Sequence, residues 1–180
     1  MTNETWLRSL PALAGTAPAR EAAAADPVRM FDTWIRLASE SVAEPHAMTL
    51  ATVDAHGVPD ARTLLLKDFG ARGFAFAGPR RSRKGAQLAG RSAAALSFWW
   101  QPLMRAVRAR GEVVEASSEE SAADLAARSA AARDGIDPAD WVRWWLVPQR
   151  IEFWQGSPDR RHTRIVYTHA DGGWQQEEQG

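Results

Sequence analysis

Met48-Thr49-Leu50-Ala51-Thr52-Val53-Asp54 is the stretch that indicates the fold, because apolar and β-branched residues fill its first six positions. A short run of this kind that ends at turn residues is typical of a β-strand. His56-Gly57-Val58-Pro59 then supplies turn residues, and residues 60–68 resume the strand pattern. The sequence therefore predicts an antiparallel β-hairpin over residues 48–68.

Strand and helix patterns continue through the rest of the chain. Further strands are predicted over residues 73–78, 93–100, 104–116, 147–154 and 164–168. Helices are predicted over residues 26–43, after Ser82, from Ser117 to residue 133, and around Trp141, Trp144 and Trp145, and the tail from Asp171 is polar. Strands with inserted helices predict a mainly β fold, an antiparallel barrel with peripheral helices.

Length and composition indicate one domain. The chain has 180 residues, and the first 25 are rich in Ala, Pro and Thr. We interpret residues 1–25 as a flexible N-terminal segment and residues 26–180 as a single domain. Lys plus Arg and Asp plus Glu are both 22, and this balance argues against a general nucleic-acid-binding protein.

Several classes of site and location are excluded by what the sequence lacks. Without cysteine there are no disulfides, thiolate metal ligands or cysteine nucleophiles, and the four histidines lack metal-ligand spacing. No apolar run reaches transmembrane length, and the N-terminus has no basic and apolar regions of a signal peptide. We therefore expect a cytoplasmic protein that binds no metal and has no membrane partner.

One cationic group follows a strand near the C-terminus. Arg160-Arg161-His162-Thr163-Arg164 comes shortly after Glu152-Phe153-Trp154-Gln155-Gly156. In an extended strand Arg160, His162 and Arg164 would share a face, because side chains alternate. Such a face suits an anionic, aromatic ligand, and the alternative is a solvated edge strand.

A second cationic group consists of Arg62, Lys67, Arg83 and Lys84. Arg83 and Lys84 lie in the first turn of a predicted helix, where free N–H groups and the helix dipole favour an anion. The pattern predicts a phosphate site, and a surface basic patch is the alternative. Arg62 and Lys67 have opposite strand parity, so they serve one ligand only at a strand end or across a bulge.

Taken together, five motifs in this order resemble the pyridoxamine 5'-phosphate oxidase family. The resemblance covers roughly residues 26 to 175. It implies a split β-barrel that works as a homodimer with FMN at the subunit interface. The motifs lie at residues 44–54, 62–67, 82–84, 152–156 and 160–164.

The resemblance also implies roles for individual residues. The implied substrate-binding residues are Lys67, Arg128, Arg160 and His162, of which Arg160 and His162 also act in catalysis. The implied reaction transfers a hydride from the substrate carbon bearing an amine or alcohol to flavin N5, with dioxygen as acceptor, as in pyridoxine biosynthesis. The implied FMN-binding residues are Arg62, Thr63, Leu64, Leu65, Leu66, Lys67, Ala77, Gly78, Arg83, Lys84, Trp154 and Arg164.

Some positions depart from the family pattern. Ala77-Gly78 stands where the family often has an aromatic residue followed by Thr, and Ala106 stands where it has a flavin-contacting Gln. Asp124 replaces a phosphate-binding Tyr, Ala132 replaces a Ser, and Thr163 replaces an Asp. The segment before the last strands is also shorter. The resemblance thus implies a largely kept flavin site and an eroded substrate-phosphate site.

Four interpretations follow. The first is an oxidase of pyridoxine or pyridoxamine 5'-phosphate. The second is a related flavin oxidase of another ring substrate, such as a dihydrophenazine-like biosynthetic intermediate. The third is a flavin-binding protein without turnover, and the fourth is a split-barrel reductase that uses a deazaflavin.

Overall fold

A computed structural model of the protein describes residues 3–11 and 23–179. Those residues contain nine strands that form one antiparallel sheet. The strands are β1 (Ala47–Val53), β2 (Pro59–Leu65), β3 (Asp68–Gly70), β4 (Gly73–Pro79), β5 (Ala93–Trp100), β6 (Arg105–Glu115), β7 (Trp141–Gln155), β8 (Thr163–Ala170) and β9 (Gly173–Gln179).

The sheet curls into a split barrel. Its strand order is β2-β1-β5-β6-β7-β4-β3. The N–H of Lys67, just beyond β2, donates to the Ala75 carbonyl of β4 at 2.8 Å, which brings the two ends of the sheet together. The first half of β7 pairs with β4 and its second half with β8, which leads away with β9. The predicted antiparallel split β-barrel with peripheral helices is confirmed.

Helices cap the barrel and flank it. Asp26 accepts a hydrogen bond from Val28 N–H at the start of the second helix, and Ser117 and Glu120 form a capping box at the fourth. The described helices are α1 (Asn3–Ser9), α2 (Pro27–Ser39), α3 (Arg83–Gly90), α4 (Ser118–Ala126) and α5 (Ala130–Arg133). No described helix is long and apolar enough to cross a membrane.

The core lies inside the barrel and under α2. Alternate residues of the strands point inward, such as Leu50 of β1 and Ile151 of β7, which are fully buried. Phe31 of α2 reaches the same space, with its ring centroid 5.0 Å from that of Phe74 and 5.1 Å from that of Phe98. This packing holds α2 on the barrel through edge-to-face and tilted ring contacts.

The prediction of a Trp-rich helix was wrong. Trp141, Trp144 and Trp145 belong to β7, and only Pro138–Asp140 forms a single 3-10 turn. Their spacing fits a helix as well as a strand. Backbone pairing with β4 and β6 stabilises the strand conformation. In the strand, the Trp144 ring stacks on that of Phe76 with centroids 5.8 Å apart.

Other boundaries also differ from the prediction. The polar tail forms β9 on the edge of the sheet, where backbone pairing with β8 needs no apolar side chains. The helix after Ser117 is interrupted, because Ser129 caps a separate α5. Residues 3–9 form a helix, while residues 1–2 and 12–22 lie outside the described residues. The division at residue 25 stays a prediction.

Candidate functional site

Arg62, Arg83 and Lys84, hereafter the cation cluster, come together where β2 meets the N-terminus of α3. Arg62 lies on β2, and the other two residues open α3, which Ser82 caps by accepting a hydrogen bond from Gly85 N–H. The predicted helix start is thereby confirmed. Three cations beside free helix N–H groups create an anion-binding environment.

The Arg62 guanidinium is fixed from several sides. Its Nη1 donates to the Leu50 carbonyl at 3.2 Å and to Thr52 Oγ1 at 2.5 Å, and its Nη2 donates to Gln87 Oε1 at 2.9 Å. Asp60, two residues earlier on the same face of β2, forms an ion pair with it at 2.9 Å. Strand β1 and helix α3 therefore hold the guanidinium in one place.

The Lys84 ammonium is enclosed. The residue is only 8% exposed, and its Nζ donates to Ser82 Oγ at 3.1 Å and lies 5.6 Å from the Trp144 ring centroid. A Cβ at Gly78 would stand 2.2 Å from this Nζ, so the glycine on β4 makes room for the ammonium. Burial, followed by the positive charge of Arg62, lowers the pKa of Lys84. A nearby anion would be favourable for this amine.

A cleft of about 550 Å³ opens beside the cation cluster. It lies between α3 and the turn that joins β1 to β2, and its lining includes Asp54, Val58, Asp60, Arg83 and Gln87. The cleft therefore gives a ligand access to the N-terminus of α3 and to Arg83, whose side chain is 81% exposed.

A second group forms a cross-strand row on β5, β6, β7 and β8. Trp99 pairs with Ala106, Ala106 with Trp154, and Trp154 with Arg164. The small Ala106 lets the two indoles approach across it, with centroids 5.9 Å apart. The His162 ring lies 4.8 Å from that of Trp154. Trp99 is 52% exposed, so the row presents aromatic surface to solvent in the single chain.

The end of β7 fixes the geometry of Trp154 and His162. His162 Nδ1 accepts a hydrogen bond from Ser157 N–H at 3.1 Å, so a neutral imidazole carries its hydrogen on Nε2. A Cβ at Gly156 would stand 2.8 Å from Trp154 Cη2, so the indole packs on the bare backbone there. The imidazole thus has one nitrogen anchored and one available as a donor.

The expected shared face of Arg160, His162 and Arg164 was wrong. Strand β8 begins only at Thr163, and the preceding residues form a turn in which Arg160 has a φ of 67°. Asp159 closes this turn by accepting from Ser157 Oγ at 2.5 Å and from Arg161 N–H at 3.0 Å. Asp and Pro at these positions favour a turn over an extended strand.

A third group surrounds the start of β7. Arg128 lies with its guanidinium 4.8 Å from the Trp141 ring centroid and donates from Nε to the Ala132 carbonyl at 3.2 Å. Asp124 accepts a hydrogen bond from Trp141 Nε1 at 2.9 Å. The carboxylate that replaces the family tyrosine is therefore used within the fold.

The remaining predicted residues follow the course of β2 and β4. Lys67 is exposed just after β2 and has the opposite parity to Arg62, as the sequence predicts. Ala77 is half-buried on β4, opposite Arg143 of β7. Among the other predicted residues of this segment, Thr63 and Leu65 are exposed, whereas Leu64 is half-buried and Leu66 is buried.

Sequence reasoning missed four residues of these groups, namely Thr52, Asp60, Gln87 and Trp99. Asp60 could have been found, because it shares its strand parity with Arg62. Gln87 lies one helical turn after Arg83 and so shares its side of α3. Thr52 and Trp99 depend on strand pairing and carried no local signal.

The cation cluster does not contact Trp154 or His162 in the part of the chain that the structure describes. Across residues 3–11 and 23–179, no hydrogen bond, ion pair or ring contact connects the cation cluster with Trp154 or His162. The same residues contain no group of three His, Cys, Asp or Glu side chains able to hold a metal ion.

Comparison with known proteins identifies the family. The model described as pyridoxamine 5'-phosphate oxidase matches residues 37–155, and that of the pyridoxine 5'-phosphate oxidase C-terminal dimerisation region matches residues 141–178. The pyridoxine/pyridoxamine 5'-phosphate oxidase of Paraburkholderia phytofirmans is 39% identical, over 83% of this chain and 86% of the relative.

Solved structures share the fold at lower identity. PhzG from Burkholderia lata 383, in complex with tetrahydrophenazine-1-carboxylic acid, is 22% identical and superposes with a TM-score of 0.83, covering 92% of this chain and 99% of its own. A pyridoxamine 5'-phosphate oxidase-related, FMN binding protein from Nostoc punctiforme is 21% identical with a TM-score of 0.74, covering 86% and 97%. Motifs, split barrel and matches agree, and the chain belongs to the pyridoxamine 5'-phosphate oxidase family.

Proposed function

We propose that the protein is an FMN-dependent oxidase of pyridoxine or pyridoxamine 5'-phosphate, acting in pyridoxine biosynthesis. The observation that carries this proposal is the cation cluster, with its enclosed ammonium and fixed guanidinium, in a chain 39% identical to a pyridoxine/pyridoxamine 5'-phosphate oxidase. A phosphate-bearing cofactor would supply the anion that this cluster favours.

The residues present fit the flavin phosphate. Among residues 3–11 and 23–179 no carboxylate forms an ion pair with the buried Lys84, and Gly78 leaves the space that the ammonium needs. We propose that Arg62, Arg83 and Lys84 bind the phosphate end of the cofactor. The backbone of residues 63–67, together with Ala77 and Gly78, would contact the rest of it. When bound, the flavin would supply the acceptor for a substrate hydride.

The substrate would be held by His162 of the second group and Arg128 of the third, together with Arg160 and Lys67. His162, anchored through Nδ1, would donate from Nε2 to an acceptor atom of the substrate ring. Arg160, exposed on the adjoining turn, would lie over the substrate, and Trp154 and Arg164 would contact the flavin. Lys67 and Arg128 would bind the substrate phosphate, with Arg128 steadied by Trp141.

We propose a homodimer with FMN at its interface. The dimerisation-region match at residues 141–178 includes Trp154, His162 and Arg164, which have no contact with the described cation cluster of their own chain. A second copy would bring the two groups together around one cofactor. Light scattering of the purified protein should give twice the chain mass of 19.8 kDa, and a monomer that binds FMN would contradict this arrangement.

The second candidate is the same oxidation of an unphosphorylated ring. The Asp124 carboxylate bonds to the Trp141 indole over which Arg128 lies, and Ala132 offers that arginine only its backbone carbonyl. Both features reduce what a substrate phosphate would gain at this position. The absorption spectrum would separate these candidates from a deazaflavin reductase, and turnover with oxygen would separate them from a flavin carrier.

The deciding experiment is an anaerobic absorbance titration of FMN-loaded protein with pyridoxine 5'-phosphate. Loss of the oxidised flavin band is the expected result, because the substrate would deliver its hydride to the cofactor. A band that stays oxidised with the phosphate but bleaches with an unphosphorylated ring would select the second candidate. Protein that binds no FMN would overturn both.

A further inference from the structure

We propose that Asp60 is an internal counter-ion of the cation cluster that weakens the binding of a phosphate there. This inference rests on the proposed function, because it takes the flavin phosphate as the natural ligand. It concerns the affinity and selectivity of the site. Asp60 acts through Arg62 and Arg83, so it is a positioning residue.

The carboxylate of Asp60 is built into the cluster. Its Oδ2 lies 2.9 Å from Arg62 Nη2 and 3.6 Å from Arg83 Nη1, and it accepts a hydrogen bond from Gln87 Nε2 at 3.2 Å. Its other oxygen accepts from the Ala61 N–H at 2.9 Å. The hydrogen bond from Gln87, and the charge of Arg62 after it, lower the pKa of Asp60, so it is ionised at neutral pH.

A bound phosphate would compete with this carboxylate. Arg62 and Arg83 form ion pairs with Asp60, and a phosphate at the start of α3 would need the same two guanidinium groups. Two anions would then lie near one another, and Asp60 cancels one of the three positive charges of the cluster. Two like charges about 4 Å apart repel appreciably at a partly exposed site.

Asp54 provides a matched comparison in the same cleft. Its Oδ1 accepts from His56 N–H at 2.8 Å and from Val58 N–H at 2.9 Å, so it serves the turn between β1 and β2. Because both bonds end on one oxygen, Asn can keep them. Asp54→Asn therefore removes a charge from the cleft wall while leaving the Asp60 ion pairs intact.

The test compares FMN and riboflavin binding to wild-type protein, Asp60→Asn and Asp54→Asn by quenching of flavin fluorescence. We expect Asp60→Asn to bind FMN about tenfold more tightly at low salt, the order expected for one like charge removed near a surface. Riboflavin, which lacks the phosphate, should bind both proteins equally. Asp54→Asn should tighten FMN binding much less than Asp60→Asn does, because the Asp54 carboxylate is bonded to the turn between β1 and β2.

Unchanged or weaker FMN binding by Asp60→Asn would overturn the proposal. So would equal tightening of riboflavin, because the effect would then not act through the phosphate. Asp60→Ala and the melting temperature of each variant show whether a change reflects misfolding. A second readout is independent of FMN: inorganic phosphate should raise the melting temperature of Asp60→Asn more than that of wild type at matched ionic strength. If FMN does not bind but inorganic phosphate stabilises Asp60→Asn more than wild type, the proposed function is contradicted and the counter-ion role of Asp60 is supported.

Discussion

Asp124 on α4 accepts a hydrogen bond from the indole N–H of Trp141 on β7 at 2.9 Å. Trp141 is buried, and this bond joins the helix to the strand on which it packs. Ser121 adds a second link by accepting from the Arg143 N–H at 3.1 Å. In the described contacts Asp124 thus serves the fold, at a position where the resemblance implies a phosphate-binding tyrosine.

Replacing Asp124 should show how much its hydrogen bond with Trp141 contributes to the stability of the fold. Asp124→Ala leaves the Trp141 donor without its acceptor, and we expect a loss of about 1–3 kcal/mol in the free energy of unfolding. Asp124→Asn keeps an acceptor oxygen and should lose much less. Urea denaturation of both variants checks the prediction, and equal stability of Asp124→Ala and wild type would contradict it.

A side chain at position 78 should lower the affinity for FMN more than it lowers the stability of the fold. In Gly78→Ala the new Cβ would stand 2.2 Å from Lys84 Nζ, so the flexible ammonium must move. We expect FMN affinity to fall about tenfold or more, since a charge-assisted hydrogen bond contributes roughly 1.5–3 kcal/mol. Gly90→Ala, whose Cβ meets nothing within 4 Å, is the control for binding and melting temperature. Unaltered FMN affinity in Gly78→Ala would argue against Lys84 as a phosphate ligand.

His162 should affect the chemistry while leaving the turn intact. In His162→Asn the amide oxygen can accept the Ser157 N–H as Nδ1 does, but the donor at Nε2 is lost. We expect unchanged FMN affinity and flavin reduction by pyridoxine 5'-phosphate slowed about a hundredfold. Stopped-flow absorbance under anaerobic conditions measures this rate. A variant that reduces flavin at the wild-type rate would remove His162 from the proposed site.

Glu120 should make stability depend on pH in the acid range. The Ser117 N–H, and Arg72 after it, lower the pKa of Glu120 from 4.5 to about 2. A lowered folded-state pKa means that the contribution is complete above pH 4.5 and is lost as the pH falls towards 2. The melting temperature of wild type should exceed that of Glu120→Gln at pH 6, and the difference should shrink by pH 2.5.

The control for that experiment is Glu119→Gln, which changes an exposed carboxylate on the same turn of α4. Its melting temperature should follow that of wild type across the same pH range. A difference between wild type and Glu120→Gln that stays constant with pH would show that ionisation of Glu120 does not couple to folding.

Local features were predictable because neighbouring residues decide them. The hairpin of β1 and β2 follows from strand-forming residues on both sides of a turn sequence, and the starts of α2, α3 and α4 follow from Asp26, Ser82 and Ser117. The same local logic placed Arg83 and Lys84 at a helix N-terminus. The family resemblance, which is confirmed, rests on residues that can be read in order along the chain.

Only the tertiary structure decided what depends on partners distant in sequence. Trp141, Trp144 and Trp145 are in a strand because β4 and β6 pair with them, and β9 exists because β8 offers an edge. Gln87 bonds to Arg62 and Asp60, which precede it by 25 and 27 residues, and the Trp99 and Trp154 indoles meet across Ala106. Backbone pairing and side-chain packing gain their free energy only after the chain has closed those loops, so no local pattern records them.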